Sequence, residues 1–473
     1  MARRKYTYVA FVLSGVAGLI YEALWGRYLG LYVGHSAYAQ VLVLAVYLGG
    51  MAVGAMAVSE RSKALSSPLR WYAGVEGTLA LFGLLFHPIF LGMVDLSYET
   101  LFPALGTAGS VGALRWGLAG LVILPQAILL GTTFPLMAAG LVRRDTERPG
   151  RGIATVYFLN TLGGAFGVLV AGFWLIGKFG LPGTSITAAL LNLCAAALVM
   201  FALAGADSEQ GSAPAVPSVV ANRDSEPDAP PEWAGTGLMP VLLSVSFLTA
   251  MASFAYEIGW IRMLSLVLGS ATHAFELMLS AFIFGLAVGA WWIRPRADRV
   301  ADPRVLLGGI QVAMGLAALA TIPIYLASFE AMAFLVRLYQ STPAAYLLHN
   351  LGRYGLALMV MLPATALAGM ALPVITGMLL RAGAGEPVIG RVYAVNTIGS
   401  VAGAGLAGLI LMPVLGLKGL LVAGATLDIG LGIWLLALAR NGSRRGSRRL
   451  ASAVLVGLAA TLTVSFGVHF DRS

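Results

Sequence analysis

Charge is what this sequence has least of. Charged residues fill 11% of its 473 positions, against roughly a quarter in soluble domains. A soluble globule of this size with so little charge would expose large apolar patches and aggregate. Cysteine is almost absent as well. Cys194, inside an apolar run, is the only one, which excludes an internal disulfide and any cysteine-rich metal or iron–sulfur centre. The five histidines (His35, His87, His273, His349 and His469) form no HxxxH pair, and no GxxxxGK[ST] phosphate loop occurs. Neither a helix-borne zinc site nor a nucleotide hydrolase is indicated.

What the sequence does have is apolar length. Hydrophobic residues make up 59%, mean hydropathy is +0.85, and 59 glycines suit helices that approach closely in lipid. A helix crossing the ~30 Å hydrocarbon layer needs roughly 20 apolar residues. Such runs predict helices near 7–33, 38–58, 71–95, 111–142, 153–177 and 183–204, then 238–268, 273–293, 304–328, 347–380, 389–413, 418–439 and 450–468. The domain reading is a six-helix repeat at 1–205, a flexible cytoplasmic linker rich in Pro, Ser and acids at 206–236, a second six-helix repeat at 237–440, and a basic loop with an extra helix at 441–473. MARRK followed by an apolar run imitates a secretory signal, but it runs on into Tyr21, Glu22 and Trp25 without a cleavage site and reads as an uncleaved first helix.

The net charge of +9 sits in short loops, so it reports topology rather than nucleic-acid binding. An inside N-terminus places Arg61, Lys63, Arg70, Arg143, Arg144, Arg148, Arg151, Arg294, Arg296, Arg299, Arg304 and the arginines of 440–449 inside, with chiefly Lys178, Arg337 and Lys418 opposite. The expectation is a bacterial cytoplasmic (inner) membrane protein with a cytoplasmic N-terminus and a periplasmic C-terminus. RPRADR (294–299) resembles the basic loop of major facilitators, and its arginines read as a topology signal.

The two halves repeat each other. Residues 20–55 align without gaps on 255–290, displaced by 235 (256 minus 21). Tyr21, Glu22, Trp25, Arg27, Gly34, Gly50 and Gly54 meet Tyr256, Glu257, Trp260, Arg262, Gly269, Gly285 and Gly289. LPQAILLGTTFPL (124–136) matches LPATALAGMALPV (362–374), and VYFLNTLGGAFG (156–167) matches VYAVNTIGSVAG (392–403). Six helices per half is an even number, so both halves cross in the same direction, related by an axis along the membrane normal. Major facilitator transporters are built this way, with a midplane site between halves. The expected fold is therefore all-α and polytopic, two parallel six-helix repeats in a major-facilitator-like 6+6 arrangement plus a thirteenth helix. Pro125, Pro135, Pro363 and Pro373 break the fourth and tenth helices and suit segments that bend around a cavity.

The motifs YExLWxRxLGLxxG, LLGTTFPLM and YxxNTxGxxxG closely resemble the membrane region of bacterial fused major-facilitator/spermidine-synthase proteins, over helices 1–12 of both halves. That resemblance implies polyamine chemistry. It also implies a soluble aminopropyltransferase domain after the last helix, which this chain is expected to lack. No catalytic residue and no cofactor is therefore expected.

Ionisable groups inside a span cost at least ~2.5–3.5 kcal/mol on insertion scales and are functional candidates by default. Glu22 and Glu257 are repeat mates past the midplane. Tyr21 with Trp25, and Tyr256 with Trp260, are four apart and share a helix face. Arg27, Arg262, Arg115 and Arg353 lie nearer the outer rim, with His273 and Glu276 at the start of the eighth span. These residues read either as structural ion pairs, with Arg115 or Arg353 facing the acids, or as a cavity holding a small cation by charge and cation–π contact. Asp428, with Asn192 as its mate, is the deepest acid. Asp428, Glu276 and Glu76 (mate Gln311) are proton-coupling candidates, with Glu76 also placed to pair with loop arginines. Asn160 and Asn396 read as interhelical hydrogen-bond residues. Three functions follow from these residues: a secondary transporter, a non-transporting scaffold for a periplasmic synthase-like subunit, and, least supported, an intramembrane enzyme. The expected partners are the lipid bilayer, a small cationic solute such as a polyamine, and that synthase-like subunit, with no nucleic acid.

Overall fold

Backbone in lipid has no water to bond, so each apolar run satisfies its own N–H and C=O groups as a helix. The computed structural model describes residues 2–34, 36–105, 107–144, 148–212, 233, 237–269, 272–338, 343–439 and 444–467. Among them are α1 (Ala2–Val33), α2 (Ser36–Arg61), α3 (Pro68–Leu96), α4 (Ala108–Val142), α5 (Pro149–Val170), α6 (Ile176–Ser212), α7 (Leu238–Leu268), α8 (Thr272–Ile293), α9 (Pro303–Leu338), α10 (Pro343–Arg381), α11 (Pro387–Leu406), α12 (Met412–Leu438) and α13 (Arg444–Gly467). Ten apolar stretches are long enough to cross a membrane. Two of them, Pro149–Ala204 and Pro387–Leu438, run 56 and 52 residues, too long for one crossing. Each folds back on itself, so the halves contribute six crossings apiece.

The fold-back points are glycines at equivalent places. Gly180 (φ 66, ψ −175) and Gly416 (φ 69, ψ 178) adopt a backbone open essentially to glycine alone. Just before each turn, a π-helical segment widens the helix, Ala171–Leu175 after α5 and Ala407–Leu411 after α11. The sequence repeat is thus a repeat of local geometry.

Packing repeats as well. In the N-terminal half, α1 packs on α5, α2 on α4, and α3 on α6; in the C-terminal half, α7 packs on α11, α8 on α10, and α9 on α12. The halves meet along two edges, α5 against α8 and α2 against α11. Glycines set these contacts. A Cβ on Gly54 would overlap the Ile128 carbonyl, and one on Gly289 the Ala366 carbonyl. The same holds for Gly163 against the Val12 carbonyl and Gly399 against the Phe247 carbonyl. The chain is an all-α polytopic membrane protein of two six-helix repeats in the major-facilitator-like arrangement, with α13 lying against α9 and α12. Large exposed side chains such as Leu81, Leu84, Phe201, Phe329 and Phe334 form the lipid-facing surface.

The apolar core comes in three main bodies, and their placement positions the site. The end carrying the α2–α3, α4–α5, α8–α9 and α10–α11 loops, here the basic end, holds one cluster shared by both halves. It includes Phe11, Phe134, Met137, Ile153, Leu242, Ile293, Met378 and Ile389. Away from that end the core divides. One cluster belongs to the N-terminal half (Ile20, Leu24, Leu79, Ile123) and another to the C-terminal half (Met263, Ala281, Ile322, Met361).

Between the halves, α6 runs on to Ser212, past the expected start of the linker at 206. Trp233 is buried in the basic-end cluster, with the Arg381 guanidinium 5.2 Å over its ring. That end of the linker is anchored. The rest of the expected linker, residues 213–232 and 234–236, lies outside the described residues, as do 440–443 of the expected basic loop.

Candidate functional site

Glu22 on α1 and Glu257 on α7 stand where the shared core gives way to the divided ones. Ala10 and Phe11 of α1, and Leu242 and Val245 of α7, belong to the shared cluster. Ile20 and Leu24, like Tyr256 and Trp260, already belong to the separate clusters. The two carboxylates are close enough to sense each other's charge across the interface between halves. Glu22 is half-buried and Glu257 is 4% exposed. Neither has a hydrogen-bond or ion-pair partner among the described residues, and one Glu257 oxygen is sealed from solvent. With no cation beside them, the two acids leave a site in a low-dielectric setting that a bound cation would balance.

Below them lies a short run of aromatics that sequence reasoning missed. The Tyr47 ring on α2 is within electrostatic reach of both Glu22 and Tyr393, and Tyr393 of Tyr157. Phe134 stacks on Tyr393 at 4.7 Å and meets Tyr157 edge-on at 6.1 Å. Tyr157 and Tyr393 are repeat mates in the YxxNT motif, so the signal was present in the repeat but carried no charge to mark it.

The other candidate residues divide differently from the expectation of one charged layer. Tyr21 and Trp25 stack at 5.9 Å inside the N-terminal half, where the Tyr21 hydroxyl donates to the Leu79 carbonyl at 3.5 Å. Tyr256 and Trp260 stack at 5.4 Å inside the C-terminal half, and the Trp260 indole donates to Thr321 at 3.0 Å. All four are buried. Successive residues of a helix point about 100° apart, so an acid facing the interface turns its aromatic neighbour into its own half.

Arg115 and Arg353 do not reach the acids. Arg115 lies over the Phe102 and Tyr98 rings at 5.1 and 5.8 Å. Buried Arg353 donates to Asn350 at 3.2 Å and to the Leu268 carbonyl, capping the end of α7. Arg115 settles over ring faces, and Arg353 on Asn350 and the α7 end, instead of reaching the interface. Arg27 instead crosses between halves and pairs with Glu276 at 2.6 Å, while Arg262 is exposed. Gly172, in the π-helical turn after α5, leaves the room that Glu276 occupies, and Phe173 stacks on His273 at 4.5 Å.

Glu76 takes no loop arginine. Ser14 and Asn192 donate to its two oxygens at 2.5 and 2.6 Å, because position 76 lies a full two turns into α3. Asp428 is fully buried and accepts from the Tyr256 hydroxyl at 2.5 Å. Asn160 and Asn396 make no side-chain hydrogen bond among the described residues. The backbone of Asn160 instead packs on Gly15, so closeness of main chains does the work expected of the amide.

The basic end is fastened by polar contacts between halves. Arg143 donates to both oxygens of Glu386 at 2.7 and 2.8 Å, and also to the carbonyls of Leu65 and Ser62. Glu386 holds the Arg143 guanidinium above its usual range. Asp298 accepts from the backbone N–H groups of Gly150 and Arg151, at 2.9 and 2.7 Å, where the dipole of α5 favours an anion. Ser59 donates to the Pro387 carbonyl at 2.5 Å. In RPRADR the residue that joins the halves is thus the aspartate. Its signal was an acid set among basic residues beside a helix start.

No family model matches the chain, and no curated protein matches it. Among solved structures, a crystal structure of a point mutant of the nucleoside transporter NupG is similar at 14% identity and a TM-score of 0.48, over 93% of this chain and 100% of that one.

Proposed function

We propose that the chain is a secondary transporter working by alternating access between its two six-helix halves, with the solute held at Glu22 and Glu257. One observation carries this reading: the core is shared at the basic end and divided beyond it, and the two unpaired acids stand at the junction. A body with one core shared at the basic end and separate cores beyond an unpaired charge site, bridged there by Arg27 and Glu276, has the two-part build that alternating access needs. The excess of loop arginines favours a cytoplasmic basic end, so this state is closed toward the inside of the bacterial inner membrane.

The solute is a small cation. Two acids with no cationic partner are balanced by one on binding, and Tyr47 adds a hydroxyl and a π-face beside Glu22. The resemblance to fused major-facilitator/spermidine-synthase proteins favours a polyamine. The decisive test is uptake of labelled spermidine and putrescine into proteoliposomes under an imposed pH gradient, with Glu22→Gln and Glu257→Gln as controls. Uptake by the natural chain, lost at least tenfold in both variants, is the expected result. No uptake by a folded, monodisperse protein would sink polyamine transport and move the reading to a scaffold for a periplasmic synthase-like partner.

A further inference from the structure

The transport reading uses Glu22 and Glu257 and leaves two fully buried acids without a role, Glu76 and Asp428. They belong to matching polar clusters in which the residue types have changed places. In the N-terminal half the carboxyl stands on α3 (Glu76), the amide on α6 (Asn192) and the hydroxyl on α1 (Ser14). In the C-terminal half the amide stands on α9 (Gln311), the carboxyl on α12 (Asp428) and the hydroxyl on α7 (Thr249).

The packing places Gln311 opposite Asp428. Gly308 lies against the Gly432 carbonyl and Gly315 against the Ala425 carbonyl, so on these antiparallel helices the positions between, 311 and 428, face each other. Asn192 and Glu76 face each other in the same way, with the Asn192 amide donating to the acid. In the C-terminal half the amide is turned round. The Gln311 nitrogen donates to Thr249, and Tyr256 donates to Asp428 Oδ2. That leaves Gln311 Oε1 and Asp428 Oδ1, two sealed acceptors with no donor among the described residues. A buried acceptor without a donor is costly, and a buried carboxylate without a cation costs far more.

One proton satisfies both. We infer that Asp428 is a proton-binding site, occupied in this state as a carboxylic acid whose O–H donates to Gln311 Oε1 while Oδ2 accepts from Tyr256. When the proton leaves, the Gln311 amide reverses. Its N–H then donates to the carboxylate, and its oxygen accepts from the Thr249 hydroxyl, as Glu76 accepts from Ser14. Both protonation states are therefore hydrogen-bonded, which is what reversible binding needs. Of the titratable and charged groups on the elements packed against α12, Tyr256 alone faces Asp428 among the described residues. Glu257 and Arg262 point from other sides of α7, Tyr325 is four turns along α9, and Arg304, Glu330 and Arg337 lie toward its ends. Lys418, on α12 itself, bonds the Ser465 carbonyl. Tyr256 is the chain neighbour of Glu257, so the proton acts on the helix that carries the solute acid. That last step, proton coupling, rests on the transport reading.

The proton's place is tested without transport. Infrared spectra of the full chain in liposomes at neutral pH are expected to show a protonated-carboxyl C=O band that disappears in Asp428→Asn and shifts in Gln311→Leu. A spectrum unchanged by Asp428→Asn means an ionised aspartate and overturns the proposal. If Asp428→Asn fails to fold, carboxyl-¹³C labelling of the aspartates in the natural chain replaces it. The label should shift the band, and a band that the label leaves in place counts equally against the proposal. In flux assays, Asp428→Asn should lose stimulation by a pH gradient while solute exchange without a gradient persists. Loss of the infrared band together with retained pH stimulation would keep the proton site and reject its coupling role. Absence of flux in the natural chain would bear on the transport reading alone.

Discussion

The two halves agree in backbone and disagree in charge. The glycine contacts of α2 with α4 and of α1 with α5 recur in α8 with α10 and in α7 with α11, as do the prolines of α4 and α10 and the fold-backs at Gly180 and Gly416. Some ionisable residues follow the repeat, as Glu22 with Glu257 and Arg27 with Arg262 do. Elsewhere they diverge. Glu276 has Val41 as its mate, Asp298 has Lys63, and Glu76 and Asp428 have amides. The lesson is mechanical. A repeated fold needs its close helix approaches twice, whereas a contact between the halves is made once and can be carried by either copy.

The shared frame gives the largest expected effect. Gly54→Ala and Gly289→Ala each push a Cβ into a carbonyl oxygen of the neighbouring helix, and α2 and α4, or α8 and α10, must separate. Each substitution should destabilise by about 3 kcal/mol, the upper range for overpacking. Unfolding in detergent read by helical circular dichroism measures it. Equal losses sharpen the comparison, and a loss confined to one half breaks it.

Most of the frame could be read from the sequence, because glycines and prolines are constrained by backbone geometry that sequence periodicity reports. The acids could be located by their cost in lipid. What could not be read was direction. Tyr21 and Glu22 are adjacent in sequence and face different surroundings, and Arg115 and Arg353 bind rings and carbonyls because those groups lie closer than the acids do. Contacts between halves also escaped, since Arg143 with Glu386 and Asp298 with the start of α5 join residues more than a hundred positions apart. No local pattern marks such a pair.

The next contrast sets two repeat mates against each other. Arg27 pairs with a Glu276 whose side chain is 6% exposed, so Arg27→Ala strands a buried acid and should destabilise by about 2 kcal/mol. Arg262 has no such partner among the described residues and is exposed, and Arg262→Ala should leave the unfolding midpoint unchanged within error. Equal effects would mean that Arg27 acts through packing rather than charge. Restoring stability with Glu276→Gln in the Arg27→Ala background would confirm the ionic origin.

The smallest expected effects concern the balance between states rather than stability. At the basic end Arg143 bridges Glu386 and two carbonyls, while Asp298 caps two N–H groups of α5. Both fasten one half to the other at the end that the proposed alternating access would part. Arg143→Ala should weaken closure by roughly 1.4 kcal/mol, about a tenfold shift toward a state open at the basic end. Asp298→Ala, which removes one helix cap, should weaken it by about 1 kcal/mol. Lys63→Ala, at the mate of Asp298, should shift nothing, since closure draws its anion from the C-terminal half alone. Distances between spin labels on the α4–α5 and α10–α11 loops report the populations. Because both variants act on one equilibrium through separate contacts, their shifts should add in the double variant. A double variant no more open than Arg143→Ala alone would mean that the two contacts release together, as a single clasp.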